Sequence, residues 1–133
     1  MRKEIDEKQV ISLLSTFSCP KNTDVEPFNA PQNLQKQIKA KLYGDYTGGM
    51  NTVPVNFLSN VDTTGGNSGS PTLNGKAELV GLLFDGVYES IIGDWDYNPA
   101  LNRSIHVDSR YMLWVMDKVD NAQNLLDEMK IVK

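Results

Sequence analysis

Cysteine and histidine are nearly missing from this 133-residue chain: Cys19 and His106 are the single copies. One cysteine closes no intrachain disulfide and leaves the redox compartment open. One cysteine and one histidine are also too few donors for a zinc site. Positive charge is in deficit, with 13 Lys and Arg against 17 Asp and Glu and a net charge of −4. That leaves no basic footprint for nucleic acid or an anionic membrane. No apolar run approaches the roughly 18 residues of a membrane-spanning helix. The start, "MRKEIDEKQV", lacks the apolar stretch of a secretory signal, so no signal peptide is expected in this chain. A start this polar also suits a piece of a longer protein. What remains is 40% hydrophobic and 23% charged, the composition of one globular domain with a sizeable core.

Helical spacing comes first. Val10, Ile11, Leu13, Leu14 and Phe17 predict a short helix over 9–18, stopped near Pro20. Residues 20–31 are broken by three prolines and read as a loop. Leu34, Ile38 and Leu42 share one face of a second helix that ends at Gly44. The pattern then changes to strands. "TVPVNFLSN" alternates around Pro54, and "PTLNGKAELVGLLFDG" reads as a hairpin turned at Asn74-Gly75. "NRSIHVD" supplies one more strand. Two helices follow. Asp108 caps the first, with Met112, Val115, Met116 and Val119 on its face; Asp120 caps the second, which buries Leu125, Leu126 and Met129.

The middle holds one conspicuous piece, "TTGGNSGSP" at 63–71. A nucleophile elbow of the G-x-S-x-G kind does not fit, because position 70 is Ser and Pro71 follows where a helix should open. A phosphate cradle lacks its lysine and its helix. Downstream, Asp94, Asp96 and Asn98 begin like a calcium loop, but Pro99 and Ile105 stand where Gly and Glu are needed. A tight turn carrying a serine nucleophile fits better. With the backbone folded beneath Ser68, the N–H groups of Gly66 and Ser68 can both point at one oxyanion. Such a turn, Gly66-Asn67-Ser68-Gly69-Ser70-Pro71, is similar to the G-D-S-G-G-P loop of chymotrypsin-like serine proteases. A plain Gly/Ser surface turn is the rival reading.

A longer run carries a resemblance: "VPVNFLSNVDTTGGNSGSPTLNGKAELVGLLFDG", then "NRSIHVDSRYMLWVMDKV" and "LLDEMKIV". Together they resemble the C-terminal end of bacterial serine dipeptidyl-peptidases, the family that includes dipeptidyl-peptidases seven and eleven. The resemblance covers roughly residues 30–133. It implies a mainly β fold with terminal helices: half of a chymotrypsin-like catalytic domain (the second barrel), then C-terminal α-helices. Residues 1–52 would lead into the barrel, 53–108 carry the nucleophile, and 109–133 form the closing helices of one structural unit. It implies Ser68 as nucleophile, Gly66 and Ser68 as oxyanion donors, and Phe84, Asp85 and Gly86 on the substrate side. Family members preferring acidic residues resemble one another in having Arg at the position of Gly86, so Gly implies an apolar penultimate preference. The sequence departs from the family just after Gly86, where "VYES" replaces an Asn-Trp-Glu pattern.

The resemblance further implies no cofactor, a peptide substrate with a free N-terminus, a homodimer, and a periplasmic or cell-surface location for the full-length protein. The family's catalytic His and Asp lie far upstream, so His106 is expected to be structural and the isolated chain inactive for want of a base. Its partner would then be the upstream part of the same protease. Two alternatives stand beside this: a non-catalytic interaction or dimerisation module, and a small glutamyl-endopeptidase-like protease using His106 as base.

Overall fold

The structure, a computed structural model, describes residues 25–26, 29–49 and 51–132. The expected helix over 9–18 lies outside the described residues. The described residues fall into two compact units, one of 55–109 and one of the remainder on either side.

The first unit is an antiparallel sheet of four strands: β1 (Asn56–Ser59), β2 (Pro71–Leu73), β3 (Leu79–Gly86) and β4 (Ser104–Asp108), in the spatial order β1-β4-β3-β2. The hairpin expected around Asn74 joins β2 to β3. Its turn is longer than a two-residue Asn-Gly loop. Asn74 Oδ1 accepts the N–H groups of Lys76 and Glu78, and Ala77, not Gly75, takes the left-handed conformation at φ 62°. An asparagine side chain that substitutes for backbone acceptors makes this wider turn stable.

Gly81 in β3 is where the sheet is tightest. A β-carbon there would lie 2.5 Å from Val107 O and 2.7 Å from Phe57 Cε1. The missing side chain lets the Phe57 ring lie across β3 and stack on the His106 ring, with centroids 4.9 Å apart and planes 13° from parallel. Leu83, paired with His106, completes the buried face.

β4 inverts the usual alternation. Ser104, His106 and Asp108 are buried, whereas Ile105 and Val107 are only half-buried. Buried polar groups must find partners, and those of Ser104 and His106 lie on the segments flanking the Gly/Ser loop.

The second unit packs α1 (Gln32–Lys39), α2 (Ser109–Trp114), a π-helical turn over Val115–Val119, and α3 (Gln123–Leu126). α1 is shorter than its pattern predicts: Lys41 turns left-handed at φ 53°, so Leu42 falls beyond the helix and is exposed while Ile38 is buried. Trp114, fully buried, donates its indole N–H to Leu42 O at 2.9 Å. Tyr46 O–H donates to Asp117 Oδ2 at 3.0 Å, and burial together with that carboxylate pushes the phenol up to about 12.

One expected cap is not how its helix begins: α3 follows Ala122 rather than Asp120. Asp108 is the last residue of β4, directly before α2, and donates its N–H to Val55 O. Leu126 is buried, but Leu125 and Met129 are exposed. The π-turn, with Asp120 N–H bonded to Val115 O, rotates the chain away from regular helical spacing.

Candidate active site

The segment 60–70 leaves β1 and returns to β2 through the Gly/Ser loop. Inside it the backbone donors divide into two sets. Asn67 N–H donates to Thr64 O at 3.2 Å, Gly69 N–H to Leu83 O at 2.7 Å, and Ser70 N–H to Asn67 O at 3.0 Å. Asn67 Oδ1 in turn accepts Thr64 N–H at 3.0 Å. The N–H groups of Gly66 and Ser68 donate to no acceptor among the described residues.

Two glycines make this arrangement possible. Gly66 at φ +96° and Gly69 at φ +84° take conformations that side chains disfavour, one on each side of the serine. Nothing lies within 4 Å of a β-carbon built at either, so backbone conformation rather than crowding demands glycine. Ser68 itself is exposed. An exposed hydroxyl flanked by two unspent N–H groups is an arrangement able to bind a developing oxyanion.

β3 runs beside this loop, and Leu83 N–H donates to Ser70 O at 3.0 Å. The register against β4 slips by one residue at Phe84: Leu83 faces His106, while Asp85 faces Ile105 and Gly86 faces Ser104. The bulged residue, Phe84, is half-exposed. Bulges of this kind re-aim side chains beside active sites. A β-carbon at Gly86 would sit 3.6 Å from Ser90 Cβ and 3.7 Å from Arg103 O, in ordinary contact. The space at Gly86 is therefore bounded by a methylene and a carbonyl oxygen. That oxygen already accepts Val87 N–H at 3.0 Å and Ser90 O–H at 3.2 Å. Asp85 Oδ1 accepts Gly86 N–H at 2.8 Å.

His106 belongs to a different network. Its Nε2 is hydrogen-bonded to Ser59 Oγ and its Nδ1 to Thr72 Oγ1, each at 2.7 Å. With both ring nitrogens engaged, no lone pair is left to take a proton from Ser68, and the endopeptidase alternative is not favoured. Sequence reasoning missed Ser59, Thr63, Thr72 and Ser104 as supports of this loop. The available signal was their polar identity at inward positions of strands and strand ends.

Burial depresses the His106 pKa below its usual 6.5. The unfolded chain then binds more protons than the folded one as pH falls below that value. Stability is expected to be complete above about pH 6.5 and to decline as pH drops toward the folded-state pKa. Urea midpoints of the chain between pH 7.5 and 5 should show this slope, and His106→Asn should flatten it. An identical slope in the variant would assign the effect to other groups.

Comparison with known proteins places this geometry in a family. Residues 16–131 match Peptidase S46. The Asp/Glu-specific dipeptidyl-peptidase of Shewanella putrefaciens is 49% identical in an alignment of 135 positions, gaps included, that covers 85% of this chain and 18% of that protein. Dipeptidyl-peptidase 7 of Capnocytophaga gingivalis is 44% identical over 106 residues, covering 80% of this chain and 15% of that protein. The crystal structure of Porphyromonas endodontalis DPP11 with the dipeptide Arg-Asp superposes with a TM-score of 0.84 at 36% identity, over 92% of this chain and 17% of that one. The chain thus spans less than a fifth of the length of these relatives. Its antiparallel sheet with flanking helices is the mainly β architecture expected. With a match spanning most of its length, the chain belongs to the Peptidase S46 family.

Proposed function

We propose that this chain is the nucleophile-bearing part of a longer serine dipeptidyl-peptidase with a chymotrypsin-like catalytic domain. The observation that carries the reading is the loop in which the N–H groups of Gly66 and Ser68 find no acceptor among the described residues while the donors of Asn67, Gly69 and Ser70 are bonded. In the intact protease Ser68 Oγ attacks the carbonyl carbon of the substrate's second residue. Its proton passes to a base contributed by another part of the protein. The negative charge that forms on the carbonyl oxygen is held by Gly66 and Ser68 N–H. Collapse expels the remaining peptide as an amine and leaves the dipeptide esterified to Ser68, and water releases it.

Phe84, Asp85 and Gly86 line the substrate side in this reading, and Gly86 sets an apolar penultimate preference. The supporting chemistry is the wall around Gly86: a methylene from Ser90 and the carbonyl oxygen of Arg103. A carboxylate placed there meets another negative dipole and no cation within 4 Å of a β-carbon at that position. Relatives with Asp/Glu specificity in their names are close in overall identity. Specificity in this reading follows residue 86 rather than overall similarity. Beyond Gly86, Tyr88 is 83% and Trp95 91% exposed, beside exposed Ile91 and Ile92. Such an apolar surface suits a chain completed by the rest of its own protease, here read as a periplasmic or surface homodimer.

The test is release of dipeptides from fluorogenic substrates by the intact protease, comparing apolar with acidic penultimate residues. Apolar substrates should be preferred. Gly86→Arg, whose β-carbon meets only ordinary contacts, should move the kcat/KM ratio toward acidic substrates by on the order of 100-fold. No release of dipeptides by the wild type would defeat the reading. An unshifted ratio in Gly86→Arg would remove residue 86 from specificity.

A further inference from the structure

His106, which the proposed chemistry leaves unused, lies on the strand that grips the nucleophile loop from both sides. On the leading side, Ser104 O–H donates to Val61 O at 2.8 Å, and Ser104 Oγ is bonded to Thr63 Oγ1 at 2.6 Å. Since the Ser104 proton goes to Val61, the Thr63 hydroxyl is the donor in that pair. Ser59 Oγ accepts Val61 N–H at 3.3 Å while bonded to His106 Nε2. On the trailing side, His106 Nδ1 meets Thr72 Oγ1, one residue into β2 and four beyond Ser68. Ser104 and His106 are 3% and 2% exposed, so these bonds form away from competing water and hold their geometry.

The two sides are not equivalent. The leading side is held by three side chains, Ser59, Thr63 and Ser104. Among the described residues, the trailing side has one side-chain bond to β4, that between His106 and Thr72. It reaches past β3, where Gly81 pairs with Thr72. β2 has only three residues, and its pairing with β3 slips between Thr72 and Leu73. Gly69 and Ser70 are tied to Leu83 of β3 by a pair of backbone bonds, but the short, irregular edge strand that follows adds little to them.

We propose that His106 is a positioning residue for the nucleophile loop. Through Thr72 it pins the exit of the loop, so that Ser68 and the N–H groups of Gly66 and Ser68 keep the convergent geometry that acyl transfer uses. This rests on the reading of Ser68 as nucleophile. A misplacement of about 1 Å in such a site can cost on the order of 100-fold in rate, so a bond remote from the chemistry can still matter to it.

The test uses the different reach of two amides. In His106→Asn the amide falls near the Nδ1 position and can keep the Thr72 bond. In His106→Gln it falls near Nε2, keeps Ser59 and loses Thr72. In the intact protease His106→Gln should lower kcat tenfold or more with KM within twofold, and His106→Asn should restore kcat to within threefold of wild type. Thr72→Val should reproduce the loss and add nothing to His106→Gln; it also stands in if the glutamine variant fails to fold. Equal kcat for the two amide variants, or an unchanged kcat in Thr72→Val, overturns the proposal.

A second measurement does not depend on catalysis. Amide exchange at Gly69 and Ser70 in the 133-residue chain should quicken in His106→Gln and Thr72→Val but not in His106→Asn. Unchanged exchange in both variants overturns the positioning claim whatever the activity shows. An active wild type whose Ser68→Ala variant stays equally active overturns the nucleophile reading instead, and with it any catalytic consequence of the pin.

Discussion

Ser68→Ala in the intact protease is expected to lower kcat for dipeptide release by roughly 10⁶-fold while leaving KM nearly unchanged. Ser68 is exposed, so removing its hydroxyl opens no cavity, and the circular dichroism spectrum and melting temperature should match wild type. The residue loses only the hydroxyl proposed to form the acyl bond; Gly66 and the backbone of residue 68 still offer their N–H groups. The residual rate should therefore be what binding and oxyanion stabilisation give without a nucleophile. Retention of activity within tenfold would move the nucleophile elsewhere. The isolated 133-residue chain makes the complementary case. Its single histidine has both nitrogens bonded to Ser59 and Thr72, so a fluorophosphonate probe should label Ser68 at least about a thousandfold more slowly than in the intact protease. Rapid labelling of the isolated chain would mean that it supplies its own base.

Gly81→Ala should be the most damaging small substitution in the first unit, with a cost of about 3 kcal/mol or more. The new methyl group would meet Val107 O at 2.5 Å and the Phe57 ring at 2.7 Å. The oxygen belongs to the backbone of the neighbouring strand and cannot swing aside. The ring is stacked on His106, so its retreat disturbs the pair of bonds that His106 makes. A fall in melting temperature on the order of 10 °C is expected for a domain of this size. Gly65→Ala is the control: a β-carbon there meets nothing within 4 Å, and the effect should stay within about 0.5 kcal/mol. Equal melting of the two variants would show that β3 and β4 can separate freely at this point.

Much of the first unit was legible because its signals are local. The hairpin between β2 and β3 follows from an asparagine between apolar runs, and the last strand from its length and flanks. The turn itself was misjudged, because the Asn74 side chain bonds two backbone N–H groups and moves the left-handed residue to Ala77. β4 shows a deeper limit. Pattern reading takes alternate polar residues as the wet face of a strand, yet Ser104, His106 and Asp108 point inward. The partners that make this tolerable, Ser59, Thr63 and Thr72, are more than thirty positions away in the chain. The closing helices failed for another reason. Asn121 turns left-handed and α3 runs only over Gln123–Leu126, so Met129 falls beyond its end and of the expected face only Leu126 is buried. The candidate nucleophile needed no such long-range knowledge, because the glycines beside it announce a special backbone.

The bulge at Phe84 gives β3 a parity. Cross-strand partners share a face, so the extra residue is what sets Gly86, and not Asp85, opposite the buried Ser104. Exchange of one side chain for another at position 86 would, in the proposed reading, alter what a substrate meets while leaving the frame intact. Pairing that closed the bulge with every residue kept would do something different in kind: Phe84 would face Ile105, Asp85 would take the place opposite Ser104, and a carboxylate would face inward. Along this strand a change of side chain leaves the pairing as it is, whereas a slip in register turns every later residue to the other face.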